Sequence, residues 1–385
     1  MRNKRIHVLT LTSFYPSRKD ERNGFVAEPL AEFEGLRLDS SVIAARPWYE
    51  SRMQPSVIVS PASWVRYPVL PGNRGLSFSG QALYLRARGM VRRLHRKHHI
   101  DILHAHAPLP SGEAARLLSV ELGIPFLITV HGLDAYLTEQ VGGRAGERCE
   151  ALCRRVYETT ARVICISEQV RNRVLDRLPG LKSAEVIHNG VDTQNFSPAE
   201  CSPLAAQSIV SVGNLIQIKG HDVTLRAVAE LHKEFPELRC RIVGEGVELG
   251  RLRGLAQELD ISQSVEFLGR KTRVEISQVL RESSIFVLPS RYEGLGCVYL
   301  EAMSSGIPAI ACRGQGIADV IRDGENGFLV AQNSPRELAE AIRKLIVNSE
   351  LRQRIGVAAR RTILEGFTLF HQAQHLHAVY ESCLA

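Results

Sequence analysis

The chain has 385 residues, 44% hydrophobic and 23% charged, with 48 Lys and Arg against 41 Asp and Glu and a formal net charge of +7. That length exceeds one typical core and suits two domains of roughly 150 to 200 residues each, with the composition of a soluble globular protein rather than a low-complexity one. No stretch reaches the roughly 20 apolar residues of a membrane span, and the eight cysteines form no C-x-x-C pair, which argues against a disulfide framework and for a reduced protein with incidental thiols.

The opening MRNKRIHVLTLTSFYP has the charges of a leader, but its apolar run is short, contains His7 and Thr10 and lacks a small-residue cleavage site, so Ile6 to Leu11 reads as a first strand. The polar segment Thr12 to Asn23 then leads through Gly24 into a predicted helix from Phe25 to Phe33, and Gly24 is where such a loop can bring backbone close to a ligand. Ser41 to Ala45 and Ser56 to Val59 read as further strands, and Tyr67 to Pro71 as a loop. A helix is predicted between Gln81 and His99, with Arg86, Arg88, Arg92, Arg93, Arg96 and Lys97 along it; such a charge run is commonly just a solvated face. Ile102 to His106 forms a strand that places His104 and His106 on one face by period two. Without a third ligand at zinc-site spacing, these two read as hydrogen-bonded histidines rather than metal ligands. Phe126 to Val130 is an apolar strand ending in His131-Gly132-Leu133-Asp134, and a histidine at a strand's carboxyl end stands where ligands bind in open α/β sheets. Val163 to Ile166 with Ser167 as N-cap repeats the strand-to-helix pattern.

Ile209 to Val212 is the next strand, followed by Gly213-Asn214 and, five residues further on, Lys219-Gly220. Arg239 to Val243 leads into Gly244-Glu245-Gly246, and Val265 to Leu268 into Gly269-Arg270. The densest signal is Ile285 to Ala311. There a buried strand stops at Pro289, Glu293-Gly294-Leu295-Gly296 opens a helix, and Gly306 with Pro308 closes it. Glu293 lies in the turn and Glu301 in the second helical turn, so both carboxylates can face a pocket above the strand, beside the free N–H groups of the helix start. Acids near a helix start also occur simply to offset the macrodipole. Asp323 to Val330, with its Asp-Gly and Asn-Gly pairs, reads as a hairpin-like turn.

Glu293-Gly294-Leu295-Gly296, followed by four residues and Glu301, resembles the signature of the retaining glycosyltransferases of family 4 (glycosyl transferases group 1), and the likeness extends over nearly the whole chain. It implies an α/β fold of the GT-B type: two Rossmann-like doubly wound domains facing across a cleft, at 1–195 (acceptor side) and 196–366 (nucleotide-sugar side), with a helix at 367–385 crossing back to the first. The passage from Glu185 to Asp192, with Phe196 and Pro198, resembles the family's connection between domains. By resemblance, Gly24 lies in a loop approaching donor phosphate and acceptor, and His131 contacts the donor sugar. Lys219 matches the lysine that neutralises the diphosphate, whereas Asn214 replaces the family's arginine, leaving Arg291 or Arg313 as replacements. Gly244 and the Gly269-Arg270 strand end border the nucleotide, the amides of Gly294, Leu295, Gly296, Cys297 and Val298 cradle phosphate, and Glu301 takes the ribose hydroxyls. Catalysis is assigned to His131, Glu293 and Lys219.

The reaction so implied moves a sugar, UDP-hexose or UDP-N-acetylhexosamine at family level, to a glycan or lipid-linked acceptor in cell-surface polysaccharide synthesis. No cofactor is expected and, without a D-x-D pair, no metal. The alternatives are a nucleotide-sugar epimerase or phosphorylase of the same fold, or a non-catalytic polyanion-binding protein. The charge excess lies entirely in the first half, where residues 1–200 hold 27 basic against 20 acidic side chains and 201–385 hold 21 of each. Two partners fit it: an anionic membrane leaflet met by Arg92 to His99, with Trp48 and Trp64 as interfacial anchors, or a soluble acceptor at a merely basic surface. The expected setting is cytoplasmic, at the inner face of the membrane if the first holds, and nucleic acid is not an expected partner.

Overall fold

The computed structural model describes residues 5–16, 24–50, 62–71, 75–132, 141–181, 184–199 and 207–385. Within them the chain divides into two compact units, one of Met1–Asn189 with Leu369–Ala385 and one of Gly190–Thr368. The first division falls six residues before the expected 195, because the segment after Gly190 packs on the second unit. Phe196 is fully buried there, and its carbonyl accepts from Ser304 Oγ at 2.5 Å and Arg360 Nη1 at 2.9 Å.

In the first unit β1 (Ile6–Thr12), β2 (Leu38–Pro47), β3 (Ala62–Tyr67), β4 (Ile102–His106), β5 (Phe126–Val130), β6 (Arg162–Cys165) and β7 (Ala184–Val186) form a sheet in the order β3-β2-β1-β4-β5-β6-β7. Every described pairing is parallel. The central strands β4 and β5 are buried at every residue, as a parallel sheet covered on both faces requires. The connecting helices are α1 (Gly24–Ala27), α2 (Leu76–His98), α3 (Glu113–Leu122), α4 (Gly143–Thr159) and α5 (Glu168–Arg177). Strand order reverses between β1 and β4, so the carboxyl ends of β1, β4 and β5 border the topological switch point, where such sheets bind ligands.

In the second unit β8 (Ser208–Val212), β9 (Arg239–Val243), β10 (Val265–Gly269), β11 (Ile285–Val287), β12 (Ala309–Cys312) and β13 (Phe328–Val330) form a parallel sheet in the order β10-β9-β8-β11-β12-β13. Around it lie α6 (His221–His232), α7 (Leu249–Glu258), α8 (Arg273–Arg281), α9 (Cys297–Ser304), α10 (Pro335–Val347) and α11 (Ser349–Gly366). Its switch point is between β8 and β11. The last helix, α12 (Leu369–Leu384), belongs to the first unit, where Ala373, Leu376, Val379 and Tyr380 join the core formed by Val8, Val42 and Ile102.

Three local expectations change. Phe25 to Phe33 is not one helix: α1 passes into 3-10 turns at Glu28–Glu32 and Glu34–Leu36, with Pro29 lacking an amide donor. Of the loop expected from Tyr67 to Pro71, Tyr67 is the last residue of a strand that the sequence reading missed, β3, while Ser56 to Val59 lies outside the described residues, as do 17–23, 133 and 134. Asp323 to Gly327 is no hairpin. Asn326 Oδ1 accepts from Arg322 N at 2.7 Å and Asp323 Oδ1 from Leu329 N at 2.9 Å, closing the turn on itself, and β13 leaves it parallel to β12.

Candidate functional site

The switch point of the second unit gathers the two residues on which the sequence reading depends most. After β8 the chain makes a 3-10 turn at Gln217–Lys219, and Gly220 follows at φ 71°, ending the turn and starting α6. A Cβ on Gly220 would stand 2.1 Å from the Pro289 carbonyl oxygen, so glycine is what lets this loop lie against the turn after β11. Lys219 Nζ thereby reaches Glu293 Oε2 at 2.5 Å, with the two side chains 20% and 12% exposed. Ser290 Oγ donates to the same oxygen at 3.3 Å, and the Glu293 backbone is fixed by N–H donation to Gln315 Oε1 at 2.8 Å and by acceptance from Gly316 N at 3.0 Å.

Helix α9 starts beside this pair. Its N-cap is Gly296, at φ 80°, which offers no side-chain cap, and a Cβ there would press to 2.8 Å from Glu293 Cγ and 2.7 Å from the Tyr299 ring. Gly294, Leu295, Cys297 and Val298 complete the turn and first helical positions, and Leu295 is fully buried. Tyr299, buried below, donates its hydroxyl to the Leu288 carbonyl. Burial first, and then the Glu293 charge, push its pKa well above the ordinary value, so it stays a neutral floor. Glu301, one turn further along α9, is 5% exposed and accepts from Arg273 Nη1 at 2.8 Å, and the Arg273 guanidinium lies 5.0 Å from the Phe196 ring centroid. Sequence reasoning missed Arg273. Only its helix start was legible, in the Thr272 to Glu275 capping box.

Asn214 is exposed, and its backbone carbonyl accepts from Ile216 N at 2.9 Å. Neither expected replacement cation stands ready for a phosphate. Arg291 makes two 3.0 Å bonds to Asp222 and further bonds to Gln217 O at 2.5 Å and Asn333 Oδ1 at 2.7 Å, and Arg313 is paired with Glu337 at 2.7 Å. Gly244 and Gly269 meet each other at the strand ends, the Gly244 N–H donating to Gly269 O at 2.9 Å, so that amide is already used inside the sheet; Arg270 stands 3.7 Å from Glu245 at the surface.

The first unit presents a different constellation. His104 and His106, alternate residues of β4, stack with ring centroids 4.5 Å apart, and His131, directly after β5, stacks on His106 at 5.1 Å. His104 is held by Thr129 Oγ1 and by Tyr380 of α12, at 2.7 Å each, and His106 Nδ1 lies 2.9 Å from His131 Nε2. Phe14 and Phe25 close over His131, with centroids 5.6 and 4.8 Å away. Burial lowers the pKa of His104 and His131 to about 3, with the neighbouring His131 adding to the effect on His104, and it takes His106 well below the ordinary value; all three are neutral hydrogen-bonding groups. Gly24 opens α1, where a Cβ would collide with the Glu28 carboxyl group.

Among the described residues no group of three or more His, Cys, Asp or Glu side chains could hold a metal, and no helix is long and apolar enough to cross a membrane. On the outer side of α2, Phe78 and Leu85 are more than half exposed, and Arg86, Arg88, Arg93, Arg96 and Lys97 are exposed. Trp48 is 56% exposed, but Trp64, expected beside it as an anchor, packs against Tyr15 and the Arg46 guanidinium.

Residues 30–195 match the family described as Glycosyltransferase Family 4, and residues 194–362 match Glycosyl transferases group 1. The D-inositol 3-phosphate glycosyltransferase of Corynebacterium jeikeium is 30% identical over 73% of this chain and 72% of its own. Sucrose-phosphate synthase from Thermosynechococcus elongatus superposes with a TM-score of 0.79 at 20% identity, covering 98% of this chain and 99% of its own. Anabaena HepE, solved in complex with UDP-glucose, superposes with a TM-score of 0.75 at 18% identity, covering 98% and 100%. With paired parallel α/β sheets of the GT-B fold, a glutamate–lysine switch point and matches spanning both units, the chain belongs to glycosyltransferase family 4 and is a glycosyltransferase of group 1 type.

Proposed function

We propose that the chain is a retaining, metal-independent hexosyltransferase that takes its sugar from a nucleoside diphosphate, UDP-hexose or UDP-N-acetylhexosamine, and places it on a hydroxyl of a glycan or lipid-linked acceptor in polysaccharide synthesis. The observation that carries this reading is the Lys219–Glu293 pair at the β8/β11 switch point beside the start of α9, whose N-cap is glycine. It combines a cation and helix-start amides for a diphosphate with a carboxylate for sugar hydroxyls. In the reaction the bond from anomeric carbon to diphosphate oxygen breaks and a bond from acceptor oxygen to that carbon forms, while the acceptor proton passes to the departing diphosphate. Lys219 and α9 hold the charge that develops on the diphosphate, Glu293 and neutral His131 orient the sugar, and Glu301, itself oriented by Arg273, accepts from the ribose hydroxyls. Anabaena HepE, which shares the fold, is solved with UDP-glucose, and this supports a nucleotide-sugar donor.

Thermal shift with a panel of nucleotide sugars tests the donor: the true one raises Tm by mass action, and a panel without any shift overturns the reading. Turnover persists in EDTA and the product keeps the donor's anomeric configuration by NMR; loss of activity on chelation restored by magnesium, or inversion, refutes that part. The basic outer face of α2 with exposed Phe78, Leu85 and Trp48 supports an acceptor presented at an anionic leaflet. Sedimentation with anionic vesicles at low salt, reversed by high salt and weakened in a quadruple Arg92, Arg93, Arg96 and Lys97→Ala variant, is the expected result. Equal partition to neutral vesicles, or none to either, assigns a soluble acceptor instead.

A further inference from the structure

Lys219 and Glu293 are each other's partners, although the proposed reaction needs both for the donor. The 2.5 Å contact is mostly removed from water, with side chains 20% and 12% exposed, where an ion pair is screened less than at a surface. Among the described residues, the Glu293 carboxylate accepts from one other side chain, Ser290 Oγ, on the same oxygen. The other nearby guanidinium, Arg291, is engaged by Asp222, Gln217 and Asn333, and position 214 carries asparagine, so the diphosphate has to compete with Glu293 for Lys219.

Resting on the donor reading above, we infer that Glu293 is the internal counter-ion of Lys219 and thereby sets the preference of the site for a sugar-loaded nucleoside diphosphate over the bare one. A bound donor supplies both replacements: its phosphate oxygens receive the Lys219 ammonium, and its sugar hydroxyls donate to the Glu293 carboxylate that Lys219 leaves. The bare nucleoside diphosphate supplies only the first. Glu293 would then stand as a largely buried anion beside further anions, an arrangement relieved when it recaptures Lys219 and the diphosphate departs. Transfer of the sugar thus removes the hydroxyls that kept the two side chains apart, and product release follows from the same pair that recognised the donor.

The test is calorimetry with UDP, ADP and GDP, and with the nucleotide sugar chosen by thermal shift, on the full chain and its Glu293→Gln, Lys219→Gln and doubly substituted variants. Glutamine keeps the size of the side chain, and the Glu293 backbone bonds to Gln315 and Gly316 do not involve it. In Glu293→Gln the bare diphosphate binds about tenfold more tightly, a change of about 1.4 kcal/mol, and dissociates more slowly in stopped-flow, while the nucleotide sugar gains less, so the preference between them collapses. Relief of simple repulsion would tighten the diphosphate equally with or without the lysine. The inference therefore requires the gain to shrink in the Lys219→Gln background. An unchanged or weaker diphosphate affinity in Glu293→Gln, or an equal gain in both backgrounds, overturns it while leaving the donor reading standing. Failure of the unsubstituted protein to bind any nucleotide or nucleotide sugar overturns the donor reading and this inference together.

Discussion

At the strand ends of the first unit the polar groups are uncharged: buried His104 and His106 and half-buried His131 stack in a column under Phe14 and Phe25, and each has its pKa lowered. At the strand ends of the second unit they are charged and paired, Lys219 with Glu293, Arg273 with Glu301 and Arg291 with Asp222. The surfaces run the other way, because the half of the sequence that holds the neutral site carries the whole +7 excess. The contrast fits the roles proposed for the two sites. A sugar hydroxyl needs a hydrogen-bonding group of fixed geometry, which a buried neutral imidazole supplies without a long-range field. A diphosphate needs charge, and a charge inside a sheet structure is tolerated only when partnered until the ligand arrives.

Acid should separate the two units most strongly. Each of these histidines has a folded pKa below the ordinary 6.5, so the unfolded chain takes up the proton first. The stability they contribute is full above pH 6.5 and is lost progressively as pH falls, for His104 and His131 down to about 3, at about 1.4 kcal/mol per pH unit for each. Among the described residues the second unit has one counterpart, His221, lowered by burial to about 4. Its depressed carboxylates, such as Glu275, lose their contribution only below the ordinary 4.5. Between pH 6.5 and 4.5 the first unit should therefore open first in hydrogen exchange, and His131→Gln should flatten the decline. Equal protection of both units across that window would contradict the neutral-histidine description.

A narrower cut addresses the charged site alone. Lys219→Ala should weaken binding of the nucleotide-sugar donor by about 1.5 to 3 kcal/mol, the scale of a charge-assisted hydrogen bond. His131→Ala should spare the bare nucleoside diphosphate and weaken only the sugar-bearing form. Calorimetry with both ligands on both variants checks the division of labour, and a histidine variant that loses the bare diphosphate would dissolve it.

Much of this arrangement could be read before the structure. A parallel strand buried on both faces is a continuous apolar run, so Ile285 to Leu288 and Phe126 to Val130 stood out, and the Gly and Pro punctuation around Glu293 marked the βα turn. What stayed hidden was pairing across distance. Arg273 and Glu301 sit on different helices 28 positions apart, and Tyr380 reaches His104 from 276 residues away, with no local pattern to announce either contact. The Asp323 to Val330 turn misled for a related reason: Asp-Gly and Asn-Gly favour tight turns, but whether the next strand returns antiparallel or joins its neighbour in parallel is decided by the sheet.

The smallest expected effect concerns position 214, where family resemblance implies arginine and this chain has asparagine. The side chain is exposed at the end of β8, in the loop that delivers Lys219. A guanidinium there would add a second cation toward the diphosphate without requiring Glu293 to release its partner, but in water its attraction is screened and its side chain must be ordered to use it. Asn214→Arg should therefore tighten donor binding by about 0.5 to 1 kcal/mol. It should also steepen the salt dependence of that binding, and it should lessen the penalty of Lys219→Ala, because the two cations then share one anion. A donor titration at several salt concentrations, on the single and double variants, reads all three quantities. If Asn214→Arg changes none of them, the diphosphate does not approach the end of β8, and the charge recognition of the second unit rests on Lys219 and the start of α9 alone.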